Sequence, residues 1–305
     1  MNPEGKKSVM LPPGDENLKI LVVVAHPHDV CHMGGTCAHH VDRGDSVSVV
    51  AITGGQRTHN EELADELRKP SERRDTNIIH GSQEDYAKRK TEEFARACAV
   101  FGITDVTVLP FSDHPLEVTE DVVSALAEIL YVVRPQMILT HAPYTLPDRR
   151  FHYAWVNDHT AAGIAVQKAL NHVSIPDTKL GRAPHRVAAI YYTGIDYGFH
   201  EVDVCIDISD QVENRIKAEE IFESQGHTAE LAIKRIESSA GFQGWKSGTG
   251  YAETFIRGYR EISRCLSVTT ENLLLAGSSH EERLRRITGE SPHGGEQDVR
   301  QRRRE

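Results

Sequence analysis

The strongest constraint on the fold is a short apolar run near the start of the chain, Leu18 to Ala25, which reads LKILVVVA. A run this rich in β-branched residues, without polar alternation, is typical of a strand buried on both faces in a parallel sheet. The segment Thr36 to Asp42 can then be helical, and Ser46 to Ile52 (SVSVVAI) has the pattern of a second strand. This spacing predicts a right-handed βαβ unit, which needs a sheet around it.

Strand and helix patterns continue to alternate along the chain. Helices are predicted over 85–101, 119–133, 157–172 and 211–225, and strands over 105–109, 137–140, 188–193 and 202–208. The alternation predicts an α/β fold, a Rossmann-like, doubly wound and mostly parallel sheet with helices on both faces. We expect residues 1–17 to be a flexible lead-in, 18–279 to form a single α/β domain, and 280–305 to be a charged, disordered tail.

The composition excludes several classes of protein. A formal net charge of −10 and a sequence pI of ≈ 5.9 disfavour a nucleic-acid binder, which would present a basic face. The dense basic cluster over 300–305 is interpreted as part of the solvated tail. No apolar run approaches the ~20 residues that a membrane-spanning helix needs, and the N-terminal residues lack the apolar core of a signal peptide.

The cysteines indicate the cellular compartment. All five (Cys31, Cys37, Cys98, Cys205 and Cys265) are scattered and none forms a CxxC motif, which indicates reduced thiols in a cytosol. We therefore expect a cytoplasmic protein that acts on a small-molecule substrate and has neither a nucleic acid nor a membrane as partner. Apolar residues near Trp245 and Tyr251 would allow a homo-oligomer.

Histidine is abundant, with 17 in the chain, and several lie between His26 and His40. The first strand runs directly into His26-Pro27-His28-Asp29, a tight loop on which His26 and Asp29 can converge. Imidazole and carboxylate together suit a borderline cation such as Zn²⁺. A third ligand can come from Asn157-Asp158-His159, where a predicted helix opens. Two histidines and one aspartate leave a coordination position open, as in catalytic zinc sites.

The predicted sheet brings distant loops together, because ligands bind beyond the carboxyl ends of parallel strands. We expect four loops to share one edge, namely 26–32, 53–60, 110–115 and 140–159. Simpler roles remain open: Asn157 or Asp158 can be a helix N-cap, and His32, His39 and His40 can be surface residues. The Gly34-Gly35-Thr36 turn could cradle a phosphate, although it lacks a GxGxxG pattern and a P-loop lysine.

One segment carries a specific family resemblance. LVVVAHPHDVCHMGGT resembles the first motif of the PIG-L (LmbE-like) zinc deacetylase family, whose usual form is an apolar strand, AHPDDE and a Gly-Gly-Thr turn. Weaker similarities follow in order, in KRKTEEFARACAVFG, LPFSD, MILTHAP, NDHTAAG, IDISDQVENRIKAEEIFESQ and GYAETF. The resemblance extends from about Leu18 to about Arg257 and implies hydrolysis of N-acyl groups, often on amino sugars.

The resemblance also implies roles for individual residues. It implies one Zn²⁺ per chain, held by His26, Asp29 and His159. Lys90 and Asp113 stand near positions that contact substrate in the family. Lys90 replaces a usual arginine, and lysine is a poorer bidentate clamp for a carboxylate or phosphate.

Two departures from the family pattern affect the chemistry. His28 stands where the family has its general base carboxylate, and Val156 replaces the histidine that begins the distal motif. We assign His28 as the candidate catalytic base, since the ordinary pKa of histidine lies near neutrality. His141 or His152 could supply the missing acid, and His141 is also a candidate for substrate binding.

The leading expectation is thus a zinc-dependent hydrolase that cleaves an N-acyl C–N bond with metal-activated water. A hydratase or lyase acting on an unsaturated carboxylic acid is the alternative. The 4-oxalomesaconate hydratases of the same fold family also lack both groups, and the stretch SDHPLEVTE over 112–120 is similar to theirs. Hydration has no leaving amine, so it tolerates the loss of the acid. A catalytically impaired binding protein is the third interpretation.

Overall fold

The computed structural model describes residues 17–58, 60–144, 157–195 and 201–288. Within these ranges the strands are β1 (Lys19–Val24), β2 (Ser46–Thr53), β3 (Asp105–Phe111), β4 (Met137–Thr140), β5 (Ala189–Thr193), β6 (Val204–Asp207) and β7 (Ala252–Arg257). The α-helices are α1 (Gly34–Asp42), α2 (Glu61–Arg68), α3 (Thr76–Ile79), α4 (Gln83–Val100), α5 (Glu120–Val133), α6 (Asp158–Val173), α7 (Val212–Glu220), α8 (Ala229–Ile236), α9 (Phe242–Ser247), α10 (Thr270–Gly277) and α11 (His280–Ile287). None of the helices in the described part of the chain has the length and apolar character needed to cross a membrane.

The strands form one sheet in the order β3-β2-β1-β4-β5-β7-β6. Strands β1 to β5 pair in parallel, whereas β7 lies antiparallel to both β5 and β6. In β1, Ile20 is aligned with Val47 of β2 on one side and with Met137 of β4 on the other. The strand order changes direction at β1, and the crevice beyond such a switch point is where open α/β sheets bind ligands. The predicted Rossmann-like α/β class is confirmed.

Both faces of β1 are buried, which explains why its sequence has no polar alternation. Leu21 and Val23 pack into an apolar cluster with helices α5 and α6. Ile20, Val22 and Val24 face the opposite cluster, built with α1, α4 and α7. Helices therefore cover both faces of the sheet, and the carboxyl end of β1 opens between them.

The C-terminal boundary differs from the expectation. Residues 280–287, expected in the disordered tail, form helix α11. Its start is fixed by a capping box in which Ser279 and Glu282 satisfy each other's backbone N–H groups. Arg286 packs inward, with a guanidinium nitrogen 3.7 Å from an Asp207 carboxylate oxygen. The charged composition concealed this local helix signal, so the predicted boundary at residue 280 is corrected. The expected lead-in over 1–16 and the residues from 289 onward lie outside the described ranges.

Candidate metal centre and its cavity

A cavity of about 610 Å³, here called the main cavity, opens at the carboxyl end of the sheet. It is lined by His26, His28, Asp29, His32, Arg57, Thr58, His114, Asn157, Asp158, His159, Gln225, His227 and Arg235. Each of the four loops that the sequence assigned to one edge contributes to this lining. The expected convergence of these loops is therefore confirmed for their described residues.

Three side chains in this cavity, here called the metal triad, are His26, Asp29 and His159. Their candidate ligand atoms all lie within 4.8 Å of one another. The chain turns sharply after β1, because the His26 N–H donates to Asp29 Oδ2 at 2.8 Å and the Asp29 N–H donates to the His26 carbonyl at 3.2 Å. His159 lies in the first turn of α6, with Nε2 3.5 Å from Asp29 Oδ1. Local turn geometry and sheet topology thus bring the triad together.

The orientation of His26 is set by Asp158. His26 Nε2 lies 2.9 Å from Asp158 Oδ2, and the same carboxylate accepts the backbone N–H groups of His114 at 2.9 Å and Leu116 at 2.8 Å. A proton on Nε2 leaves His26 Nδ1 on the side of Asp29, 3.3 Å from its Oδ2. A carboxylate behind a ligand histidine is the usual outer support of a metal site. Asn157 is the N-cap, since its Oδ1 accepts the Thr160 N–H at 2.8 Å.

The electrostatics of these groups favour a bound cation. Burial works against ionisation of Asp29, but His159 and His26 outweigh it and hold the pKa of Asp29 well below its ordinary value. Burial likewise opposes ionisation of Asp158, while hydrogen bonds from His26, Leu116 and His114 bring its pKa to about 2. For His26, burial lowers the pKa, yet the Asp29 and Asp158 carboxylates raise it to about 9. An ionised, enclosed carboxylate between two imidazoles fits the donor preference of Zn²⁺.

His28 belongs to a second group, here called the His28 cluster, with Glu219 and His227. His28 Nε2 lies 2.7 Å from Glu219 Oε2, and His227 Nδ1 lies 3.0 Å from the Glu219 carbonyl oxygen. Glu219 is buried, and although burial opposes its ionisation, His28 and His227 hold its pKa well below the ordinary value. Burial lowers the pKa of His28 more than Glu219 raises it. A neutral His28 that donates from Nε2 to Glu219 has Nδ1 available as a proton acceptor.

Lys90 and Asp113 are both completely enclosed and do not line the main cavity. Lys90 Nζ donates to the carbonyl oxygens of Gly55 at 3.0 Å and Thr58 at 2.9 Å. The Asp113 carboxylate accepts the N–H groups of Arg57 at 3.0 Å and Thr58 at 2.7 Å. These contacts hold the loop that presents Arg57 and Thr58 to the cavity. Direct substrate contact by either stays a prediction.

His141 lies behind the metal triad. It directly follows β4, is 1% exposed, and has Nε2 3.3 Å from Asp29 Oδ2. Its ring stacks on that of His159, with centroids 4.2 Å apart. In this arrangement His141 supports two members of the triad, and its predicted contact with substrate stays untested. His152 and Val156 lie outside the described residues.

Other residues singled out in the sequence have different roles. The N–H groups of Gly35 and Thr36 donate to the Glu253 carboxylate at 2.9 and 2.8 Å, so this turn is occupied by a protein carboxylate and not by a phosphate. His39 and His40 pair with Asp210 and Asp45, respectively. His32, in contrast, lines the main cavity.

A protein-family match covers the part of the chain that carries the metal triad. The family model described as PIG-L: GlcNAc-PI de-N-acetylase matches residues 21–170, the segment that contains the whole metal triad. The diacetylchitobiose deacetylase of Thermococcus kodakarensis is 27% identical over 253 residues, which cover 79% of this chain and 83% of that protein. The inositol acetamidodeoxyglucopyranoside deacetylase of Thermomonospora curvata is 30% identical over 156 residues, covering 44% of this chain and 49% of that protein.

Two solved structures share the fold. The 4-carboxy-2-hydroxymuconate hydratase of Pseudomonas putida KT2440 has a TM-score of 0.64 at 20% identity, covering 82% of this chain and 100% of that one. The N,N'-diacetylchitobiose deacetylase of Pyrococcus horikoshii has a TM-score of 0.63 at 22% identity, covering 80% and 85%. The family match and the deacetylase relatives lead to one assignment: residues 21–170, the segment that carries the metal triad, form a PIG-L family domain.

Proposed function

We propose that this chain is a metal-dependent hydrolase that cleaves the N-acyl C–N bond of a small polar substrate, as a deacetylase does. The observation that carries the proposal is the convergence of His26, Asp29 and His159 on the wall of the main cavity. The likeness to a diacetylchitobiose deacetylase over most of the chain supports an N-acetylated carbohydrate as the substrate class. The reaction is thus hydrolysis of a C–N bond other than a peptide bond.

We assign one Zn²⁺ per chain as the cofactor, with the metal triad as its protein ligands. Bound there, the ion would lower the pKa of a water molecule towards about 7 and polarise the acyl carbonyl. The residues of the chain fit this role, because the triad offers two imidazoles and an ionised carboxylate, and Asp158 holds the His26 ring in one orientation.

His28 is the candidate general base. The Glu219 carboxylate holds the His28 Nε2 proton, which leaves Nδ1 to accept a proton from the attacking water. His28 lines the main cavity together with Asp29, so base and triad face the same space. The side chains of Arg57, Asn157 and Gln225 also line this space and offer donors for substrate hydroxyl or carbonyl groups.

The hydratase alternative rests on the absence of both the base carboxylate and the distal histidine, and on the similarity of the stretch over 112–120. Of these, the missing distal histidine bears on the acid that a leaving amine needs. The main cavity is lined by two further imidazoles, those of His114 and His227, which can serve an amine leaving group. The departure at Val156 therefore no longer favours hydration over hydrolysis. The likeness to the 4-carboxy-2-hydroxymuconate hydratase supports the fold alone.

A product assay tests the proposal. Purified protein loaded with Zn²⁺ is incubated with N-acetylglucosamine and with N,N'-diacetylchitobiose, and free amine and acetate are measured together. We expect both products in equal amounts, loss of both in His159→Ala, and full release in His172→Ala, an exposed position on the same helix. Absence of amine from a wider panel of N-acyl substrates, together with lost ultraviolet absorbance from an unsaturated dicarboxylate, would reject hydrolysis in favour of hydration.

A further inference from the structure

A second cavity of about 310 Å³ lies on the other side of His32, which lines both cavities. Its wall includes Arg215 of α7, Gln243 of α9, and the hydroxyl-bearing Thr193 and Thr254 of neighbouring strands. Arg215 lies one helical turn before Glu219, the partner of His28. The proposed hydrolysis uses none of these cavity-wall groups, so the second cavity needs a separate explanation.

Arg215 is buried, with 2% of its surface exposed. Its Nε and Nη1 atoms are enclosed and have no hydrogen-bond partner among the described residues. Glu253, which also lines the second cavity, forms an ion pair with Arg215: its carboxylate oxygen lies 3.7 Å from Nη1, which is too long for a hydrogen bond. The Glu253 carboxylate already accepts the N–H groups of Gly35 and Thr36 at the start of α1. The guanidinium therefore retains donors that no described group satisfies.

Two further polar atoms on this wall have the same property. His32 Nδ1 and Gln243 Oε1 are enclosed and lack a partner within the described ranges. Turning the Gln243 amide over exchanges its oxygen and nitrogen, so its NH₂ group can equally take this position. Burial, His28 and Arg215 together hold the pKa of His32 well below its ordinary value, so its neutral ring carries one N–H donor. Arg215, His32 and Gln243 thus bring unsatisfied polar atoms to the wall of the second cavity from three separate elements.

Water is the simplest occupant, since the cavity has room for about ten molecules at roughly 30 Å³ each. Water can satisfy the amide and the imidazole, but it adds no negative charge. The Glu253 carboxylate that offsets the charge of Arg215 lies 3.7 Å away and is shared with the N-terminus of α1. An oxyanion satisfies both needs, because its planar or tetrahedral oxygens match the guanidinium donors. We propose that the second cavity binds a small oxyanion, a carboxylate or a phosphate, on Arg215.

The position of this site links it to the main cavity. The rings of His28 and His32 meet edge to face, with centroids 5.5 Å apart. Only the side chain of His32 therefore separates an anion on Arg215 from the His28 cluster. The site does not depend on the metal triad, so it can be tested independently of the hydrolase activity.

Calorimetric titration tests the proposal on the full chain, stripped of metal by a chelator that is then removed, at constant ionic strength. Sodium phosphate and sodium acetate are separate probes, and their affinities distinguish the two sources of oxyanion. We expect saturable one-to-one binding of at least one probe. Arg215→Met should weaken that binding at least tenfold, whereas Lys217→Met, an exposed cation on the same helix, should leave it unchanged.

Two results would overturn the proposal: no saturable binding of either anion, or equal affinity in a folded Arg215→Met protein. Should that variant fail to fold, the unaltered protein crystallised with selenate gives the answer. An anomalous scattering peak within hydrogen-bond distance of the Arg215 guanidinium supports the site. Ordered water alone in the second cavity refutes it.

Discussion

Asp158 accepts a hydrogen bond from His26 Nε2 at 2.9 Å across 132 positions of sequence. The same carboxylate is held by the backbone N–H groups of His114 and Leu116, so it ties the end of β1, the loop after β3 and the start of α6 into one unit. This unit fixes the ring of His26 with Nδ1 facing Asp29. The geometry of the metal triad therefore depends on a residue that is not itself a proposed ligand.

Asp158→Asn should weaken metal binding by about 10–100-fold, the usual cost of losing the carboxylate behind a ligand histidine. The reason is that an amide no longer stabilises the Nε2–H tautomer of His26 as a carboxylate does. Competition with a chromophoric chelator measures the affinity. The adjacent Asn157→Ala removes an N-cap and should cost about 1 kcal/mol of unfolding free energy while retaining metal affinity. Equal affinities of Asp158→Asn and the unaltered protein would contradict this account.

His28→Ala should keep its metal but lower kcat by about 10²–10⁴, the range for a lost general base. Glu219→Gln should lower kcat in the same direction with unchanged metal content, because glutamine can accept from or donate to His28 Nε2 and no longer enforces one tautomer. Steady-state kinetics and elemental analysis of the same preparations measure both effects. Glu220→Gln, at the next position of the helix, is the matched control and should retain full turnover. Undiminished turnover in Glu219→Gln would remove Glu219 from the mechanism.

The sequence predicted the parts of the site that are encoded locally. β1 is identifiable because both its faces are buried, and His26 and Asp29 converge because a three-residue spacing on a tight turn brings them together. Glu219 was not predicted, because it lies 191 positions from His28 in the sequence. The apolar pattern of its helix predicts which face of the helix is buried, but not which side chain Glu219 contacts. The complete burial of Lys90 was not predicted either, because the family resemblance implied a substrate contact and said nothing about how deeply the side chain is buried. Long-range pairing and burial are properties of the packed sheet.

Lys90 makes a pH-dependent contribution to stability. Burial lowers its pKa to about 8, against the opposing effect of Asp113 and Asp29, whereas in the unfolded chain lysine holds its proton up to about 10.5. Between these values the unfolded state binds more protons, so the free energy of unfolding rises with pH, by about 3 kcal/mol in total. Below pH 8 that gain is absent, because Lys90 is charged in both states.

Comparison with Lys90→Met isolates this effect. Urea unfolding at pH 7.5 and at pH 10 should show the unaltered protein gaining stability relative to the variant as pH rises. Lys88→Met, at an exposed position on the same helix, should show no such relative change. A stability difference between the unaltered protein and Lys90→Met that falls or stays constant over this range would show that Lys90 is not a buried ammonium.

Gly163 sets how closely α6 approaches the end of β4. A Cβ at this position would lie 2.5 Å from the His141 carbonyl oxygen and 2.7 Å from the Ala142 carbonyl carbon, both of them backbone atoms that cannot move aside cheaply. Gly163→Ala should therefore push α6 outward and cost about 1–3 kcal/mol of unfolding free energy. Because His159 lies one turn earlier on the same helix, metal affinity should fall as well. Gly277→Ala is the control, since nothing lies within 4 Å of its added Cβ. Urea unfolding of both variants measures stability, and chelator competition measures metal affinity. A Gly163→Ala protein with lowered stability but undiminished metal affinity would mean that this contact does not set the position of His159.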